Sequence, residues 1–247
     1  MTKRAYQNNG LDYPPLKEFK SGDNASPRLR KVCNYASRLL LHEIQLAEAI
    51  EILELCSNVH DLAIWGLYVP EVATYNEHTS HRLAQSICSL PLQRLSSNLS
   101  ECLSLESNRF SSAINPFIFH HLPHLTHIDI FGLSDAVLWE VLPHIPTMPN
   151  LTHIVICGKH GNGPITFVLK EKHSLLLVIK AYWAAPDDLD GEDGDCMKDS
   201  RVVCVYMSEL SESDIAWVGE ELWIAGEKKR REKEKKLNHM RNLDFIS

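Results

Sequence analysis

Apolar positions along this chain fall into two rhythms that take turns. Short stretches with apolar residues at every second place predict strands. Longer stretches with apolar residues three and four apart predict helices. One strand-like phrase occurs twice: Leu125-Thr126-His127-Ile128-Asp129-Ile130-Phe131-Gly132 returns as Leu151-Thr152-His153-Ile154-Val155-Ile156-Cys157-Gly158, 26 residues further on. Val59-His60-Asp61-Leu62-Ala63-Ile64-Trp65-Gly66 fits the same frame, glycine included. Leu92 to Leu99 fits with Ser97 in the third apolar place, and Leu175 to Ala181 and Val202 to Met207 read as two more short buried strands. The key apolar positions step from 62 to 95 to 128 to 154, intervals of 33, 33 and 26 residues. An L-x-x-L-x-L pattern near the roughly 20–29-residue period is the mark of a leucine-rich repeat, here with longer early units.

Helical signals lie between these strands. Leu46, Ala49, Ile50, Leu53 and Cys56 share one face, as do Leu83, Ala84, Ile87 and Cys88. Asn115-Pro116 predicts a capped start for a helix over Phe117 to Leu122. Ser134 caps a predicted helix over Asp135 to Leu142, which Pro143, Pro146 and Pro149 then stop. The expected architecture is α/β: an irregular leucine-rich-repeat solenoid of about six units, with short parallel strands alternating with helices. Residues 27–226 make the solenoid, with an acidic loop at 186–198. Residues 1–26 read as disordered or loosely attached. Ser211 to Ala225 predicts a C-terminal capping helix, with Ile215, Val218 and Leu222 on one face and Trp217 and Trp223 available to close the solenoid. Residues 227–247 form a charged tail, helical or disordered.

Composition narrows the class. The chain has 247 residues, of which 44% are hydrophobic, and a net charge of −7. That charge argues against a nucleic-acid binder as a whole molecule. Seven scattered cysteines, an odd number without a C-x-x-C pair, predict reduced thiols. The polar stretch Met1 to Asp23 has no signal-peptide pattern, and no segment reaches the roughly 18 apolar residues of a membrane span. The expected location is intracellular, cytoplasmic or nuclear, with no membrane partner.

Side-chain alternation places one set of residues on the face opposite the helices: Asp61, Ala63, Arg94, Ser96, His127, Asp129, His153 and Val155. His127 and His153 occupy the same repeat position, and with Asp129 they form a zinc-type donor set. No third ordered ligand is evident, and the expectation is no metal and no cofactor. His120 and His124 are four apart, but Pro123 ends the helix between them and the glutamate of H-E-x-x-H is absent. Gly158 to Gly163 resembles half of a phosphate-binding loop, but Pro164-Ile165 stands where Lys and Ser or Thr are required. Asp188, Asp190 and Glu192 alternate like calcium ligands, yet Asp193 and Asp199 occupy the places of the required glycine and glutamate. The run at 228–236 is interrupted by Glu232 and Glu234, preceded by Glu227 and without aromatics, so it reads first as a charged helix end. No nucleophile motif is present, and the chain reads as non-enzymatic.

The runs ASRLLLHEIQLAEAIEILELCSNVHDLAIWG, LPLQRLSSNLSECL, LPHLTHIDIFG and MPNLTHIVICG, with the ending SESDIAWVGEELWIAGE, resemble the leucine-rich-repeat region of mushroom-type fungal F-box-like proteins over residues 40–226. The resemblance implies substrate recognition for a ubiquitin ligase, with an F-box that binds the ligase adaptor. The N-terminal stretch departs from that pattern. It has no Leu-Pro-x-Glu opening, and Tyr13-Pro14-Pro15-Leu16 is too slight to count, which speaks against an adaptor contact. The expected function is protein–protein interaction with an unidentified protein partner, through Asp61, Arg94, Ser96, His127, Asp129, His153 and Val155. The alternatives are a metal-binding or enzymatic role for the His127/His153 pair, or a nucleic-acid association through the basic tail.

Overall fold

In the computed structural model, which describes residues 4–6, 33, 35–68, 77–97, 122–131, 135–158, 160–182, 195–207 and 218–244, the period-two runs form strands. These are β1 (Arg4–Tyr6), β2 (Arg38–Gln45), β3 (Asp61–Tyr68), β4 (Arg94–Ser97), β5 (His127–Ile130), β6 (His153–Cys157), β7 (Leu177–Tyr182) and β8 (Val202–Tyr206). They build one eight-stranded sheet in chain order. The seven strands β2 to β8 are parallel, and β1 pairs antiparallel with β2 at the edge. The described helices are α1 (Leu46–Leu55), α2 (Glu77–Cys88), α3 (Asp135–Val141), α4 (Gly163–Glu171) and α5 (Val218–Asp244), with 3-10 turns at Leu142–Thr147 and Asp195–Lys198. Pro143 and Pro146, which lack an N–H, convert the end of α3 into the first of these turns. Pro164 sits in the first turn of α4, where its missing donor costs nothing.

Register turns the repeat into columns. Leu39, Leu62, Leu95, Ile128, Ile154, Val178 and Val202 lie side by side across the seven parallel strands. They point toward α1–α4 and form one core with Ile50, Leu53, Leu83, Leu138 and Val168. The opposite face carries a second core: Val155, Leu177, Ile179 and Val203 pack with Leu222 and Trp223 of α5. The chain is therefore α/β, a parallel sheet alternating with helices on one face and crossed by a C-terminal helix on the other.

Several expectations change. The capping helix and the charged tail are one element, because α5 runs unbroken for 27 residues. It lies on the strand face, where Leu222 and Trp223 cover apolar strand residues. Arg4–Tyr6, within the stretch expected to be loosely attached, form β1. Strand β2 was hidden because Leu39-Leu40-Leu41 is apolar on both faces and runs straight into the stripe of α1. Glu43 and Gly66, adjacent across β2 and β3, both have positive φ (49° and 68°), so the glycine of the β3 phrase matches a kink in the neighbouring strand. The predicted Asn115-Pro116 helix start, Ser134, residues 186–194 of the acidic loop and Trp217 lie outside the described residues. Among the described residues no helix is long and apolar enough to cross a membrane.

Candidate functional site

The predicted outward residues do share one face. Register sets them in two rows. The first is Arg38, Asp61, Arg94, His127, His153 and Leu177, and the second is Leu40, Ala63, Ser96, Asp129, Val155, Ile179 and Val203. The second row is closed to solvent along its whole length, with Ser96 8%, Asp129 3% and Val155 0% exposed. The expectation of an open face thus fails for Ser96, Asp129 and Val155. At Val155 the cause is α5. The helix comes close to the sheet at Gly226, where a Cβ would stand 2.3 Å from Ile179 Cδ1.

The duplicated phrase acquires a physical explanation. Leu125 and Leu151 enter the core, as do Ile128 and Ile154. Thr126 Oγ1 donates to Gln93 O (3.0 Å), and Thr152 Oγ1 donates to Thr126 O (3.3 Å). A hydroxyl has a single proton, so each threonine oxygen then accepts from the following histidine. The contacts are 2.8 Å to His127 Nδ1 and 2.7 Å to His153 Nδ1. The His127 ring is thereby held as the Nδ1–H tautomer with a bare Nε2. The rings stack 4.2 Å apart at an interplanar angle of 9°. Trp223 of α5 meets both edge-on, at 5.0 Å and 5.5 Å. Glu227 Oε1 lies 3.5 Å from His153 Nε2, and Arg230 holds the same carboxylate at 3.1 Å.

Burial first, then His153 and Arg94, pull the His127 imidazole down to about 3. Burial also lowers His153, with Glu227 partly offsetting it. Both rings are neutral at neutral pH. The metal reading of this pair meets a geometric obstacle: an imidazole donates in its own plane, and two nearly parallel planes 4.2 Å apart share no point for one ion. Among the described residues no group of three His, Cys, Asp or Glu is arranged to hold a metal.

Asp129 stands beside the pair in the closed row. Trp65 Nε1 donates to Ser96 Oγ at 3.3 Å, leaving the Ser96 hydroxyl proton for Asp129. The other carboxyl oxygen, Oδ1, has no hydrogen-bond partner. Burial pushes this carboxyl up to about 7, against the Ser96 hydrogen bond and Arg94. Trp65 packs edge-on against Phe131, with ring centroids 5.8 Å apart.

The exposed part of the face is charged. Arg38 Nε donates to Asp61 Oδ2 at 2.9 Å, and Arg94 Nε lies 4.0 Å from Asp61 Oδ1. These three side chains keep 25%, 20% and 36% of their surface in solvent.

No protein-family model, curated protein or solved structure matches the chain. The site is therefore judged on its own geometry.

The glycine-rich loop has a structural explanation too. Gly158 (φ 140°) makes room for His160, whose Nε2 would lie 2.8 Å from a Cβ there and whose Nδ1 is 2.6 Å from Asp135 Oδ1. Asn162 accepts from the buried Lys180 Nζ at 3.0 Å. Sequence reasoning missed Lys180, Thr126, Thr152, Glu227 and Arg230. A signal was present for the threonines, which are copied with the histidines. None was present for Lys180, which stands in a column with Ile130 and Ile156.

Proposed function

We propose that this chain is a non-catalytic protein-binding module built as a leucine-rich-repeat solenoid, and that its contact surface is the Arg38–Asp61–Arg94 row. The observation that carries the reading is the row itself: three alternating charges on adjacent parallel strands, partly exposed, next to a row that is closed throughout. The support for the repeat is the in-register alignment of the apolar columns with one helix or turn between most successive strands. A charged rim of this kind contributes orientation and association rate more than affinity. His127 and His153 continue the same row under Trp223 of α5, and Val155 packs beneath that helix in the closed row beside it.

The test is affinity capture from the native organism, read by quantitative mass spectrometry, with wild type and an Arg38→Glu/Arg94→Glu variant. The row then carries three negative charges. Proteins that wild type retains should be lost, with circular dichroism unchanged. Equal capture by both sinks the assignment of this surface. Asp129 is unsuitable for such a variant because its burial would make it report folding. The sharper version of the reading, substrate recognition for a ubiquitin ligase, requires the ligase adaptor among the captured proteins.

A further inference from the structure

Along the chain, residues 227–236 mix both signs: Glu227 precedes the basic run, and Glu232 and Glu234 break it up. Helical geometry sorts them, because residues three and four apart share a face. Glu227 and Glu234 both pair with Arg230, at 3.1 Å and 2.6 Å. Lys233 directs its ammonium at three carbonyls, Met197 O, Asp199 O and Val202 O, at 2.5 Å, 2.7 Å and 2.9 Å. Lys228, Arg231, Lys235 and Lys236 fall on the opposite, solvent side together with Glu232. Arg231 also approaches Glu227 at 3.8 Å while remaining 73% exposed. The solvent face is thus four cations and one anion on a chain of net charge −7.

We infer that this solvent face of α5 is a sequence-independent docking strip for the phosphate backbone of duplex nucleic acid. The only force the face offers is electrostatic. Its centre has no exposed aromatic to stack on a base, and the exposed apolar residues Ile224 and Met240 lie toward its two ends. The apolar residues Leu222 and Trp223 are already committed to the sheet and are not available for insertion into a bilayer. An acidic peptide would gain about 0–1 kcal/mol from each exposed ion pair, too little to hold it without an apolar anchor. A duplex gains from release of its condensed counterions, which needs only fixed cations. Leu222, Trp223 and Lys233 fix them here. An α-helix with its side chains is about 10–12 Å wide, and the major groove is about 12 Å wide with phosphates on both walls.

The experiment titrates the full chain into a fluorescently labelled mixed-sequence duplex and reads anisotropy. A net neutralisation of about three phosphates gives a salt slope near −2.7, so affinity should fall roughly 40-fold between about 50 and about 200 mM salt. Lys228→Gln/Lys235→Gln should reduce that slope by about 1.8. Lys228→Glu/Lys235→Glu should abolish binding, and Glu232→Gln should strengthen it. All three positions face solvent, so circular dichroism serves as the folding control. No anisotropy change at low salt overturns the inference. So does binding indifferent to the lysine variants, or retention on phosphatidylserine vesicles without duplex binding. This strip is separate from the β2–β4 row, and each can fail while the other stands.

Discussion

Replacing Asp129 by valine, the residue at the same position of the next repeat, should stabilise the protein at alkaline pH and much less in acid. The carboxyl is raised by burial to about 7 in the folded chain, against about 3.9 when unfolded. Between these values the folded state binds more protons than the unfolded state, so this group's contribution is fully present below about pH 4 and is lost as pH rises through about 7. The two values imply a loss of about 4 kcal/mol at high pH, of which about 2.5 kcal/mol falls between pH 5 and pH 8. Removing Asp129 also leaves the Ser96 hydroxyl without its acceptor, at a cost of about 1–2 kcal/mol independent of pH. The stability difference between Asp129→Val and wild type should therefore grow by about 2.5 kcal/mol from pH 5 to pH 8, with the variant the more stable at pH 8. Urea denaturation at both pH values measures it, with the slope checked for constancy. A difference that stays the same at the two pH values, or a variant less stable at pH 8, refutes the assignment of a raised carboxyl at this position.

His127 should act in the opposite sense. Its lowered folded value means stability is present above about pH 6.5 and is lost as pH falls toward about 3, so His127→Gln should flatten the acid side of the stability profile. Trp223→Ala removes the ring that meets both histidines and should cost about 3–5 kcal/mol in urea denaturation; a loss below about 1 kcal/mol would mean α5 is held elsewhere. Lys233→Met keeps the length but donates to none of the three carbonyls at the start of β8, and hydrogen exchange should then quicken in α5 beyond residue 233. Exchange unchanged from wild type would show that those contacts do not anchor the helix.

Strands β3 to β8 were legible because apolar residues survive at the core places of each copy. The outward orientation of Asp61, Arg94, His127 and Val155 was legible for the same reason. What covers His127 and Val155 was not. Strand periodicity tells which face a side chain takes, and says nothing of a helix that returns from the far end of the chain. Trp223 was readable as a covering residue, but Gly226 and Lys233 carry no local signal for the sheet they meet. The charged run concealed its own sorting, since Glu227 and Glu234 stand seven residues apart in sequence and both lie beside Arg230 in space. Asp129 was read as exposed because aspartate on an outward position ordinarily is.

The first outward row explains where α5 lies. Across the sheet its residues run Arg38, Asp61, Arg94, His127, His153, Leu177, from charged through neutral aromatic to aliphatic. Desolvating a charge without a partner costs several kcal/mol, whereas covering a neutral stacked imidazole pair costs little. The helix therefore meets β5 through Trp223 on His127, meets β7 where Leu177 and Ile179 face Gly226, and reaches β8 through Lys233. Copying Thr-His from β5 to β6 gives a platform of two stacked rings, each hydrogen-bonded to its threonine and kept neutral by burial, which a single copy could not form. At β4 the same place is Arg94, and there the row returns to solvent. The change from histidine to arginine between adjacent strands thus marks the edge of the cover and the start of the exposed, charged part of the row. On this logic His127→Arg should press a cation against Trp223 and loosen α5 from β5, seen as faster hydrogen exchange in α5; exchange unchanged from wild type would refute it.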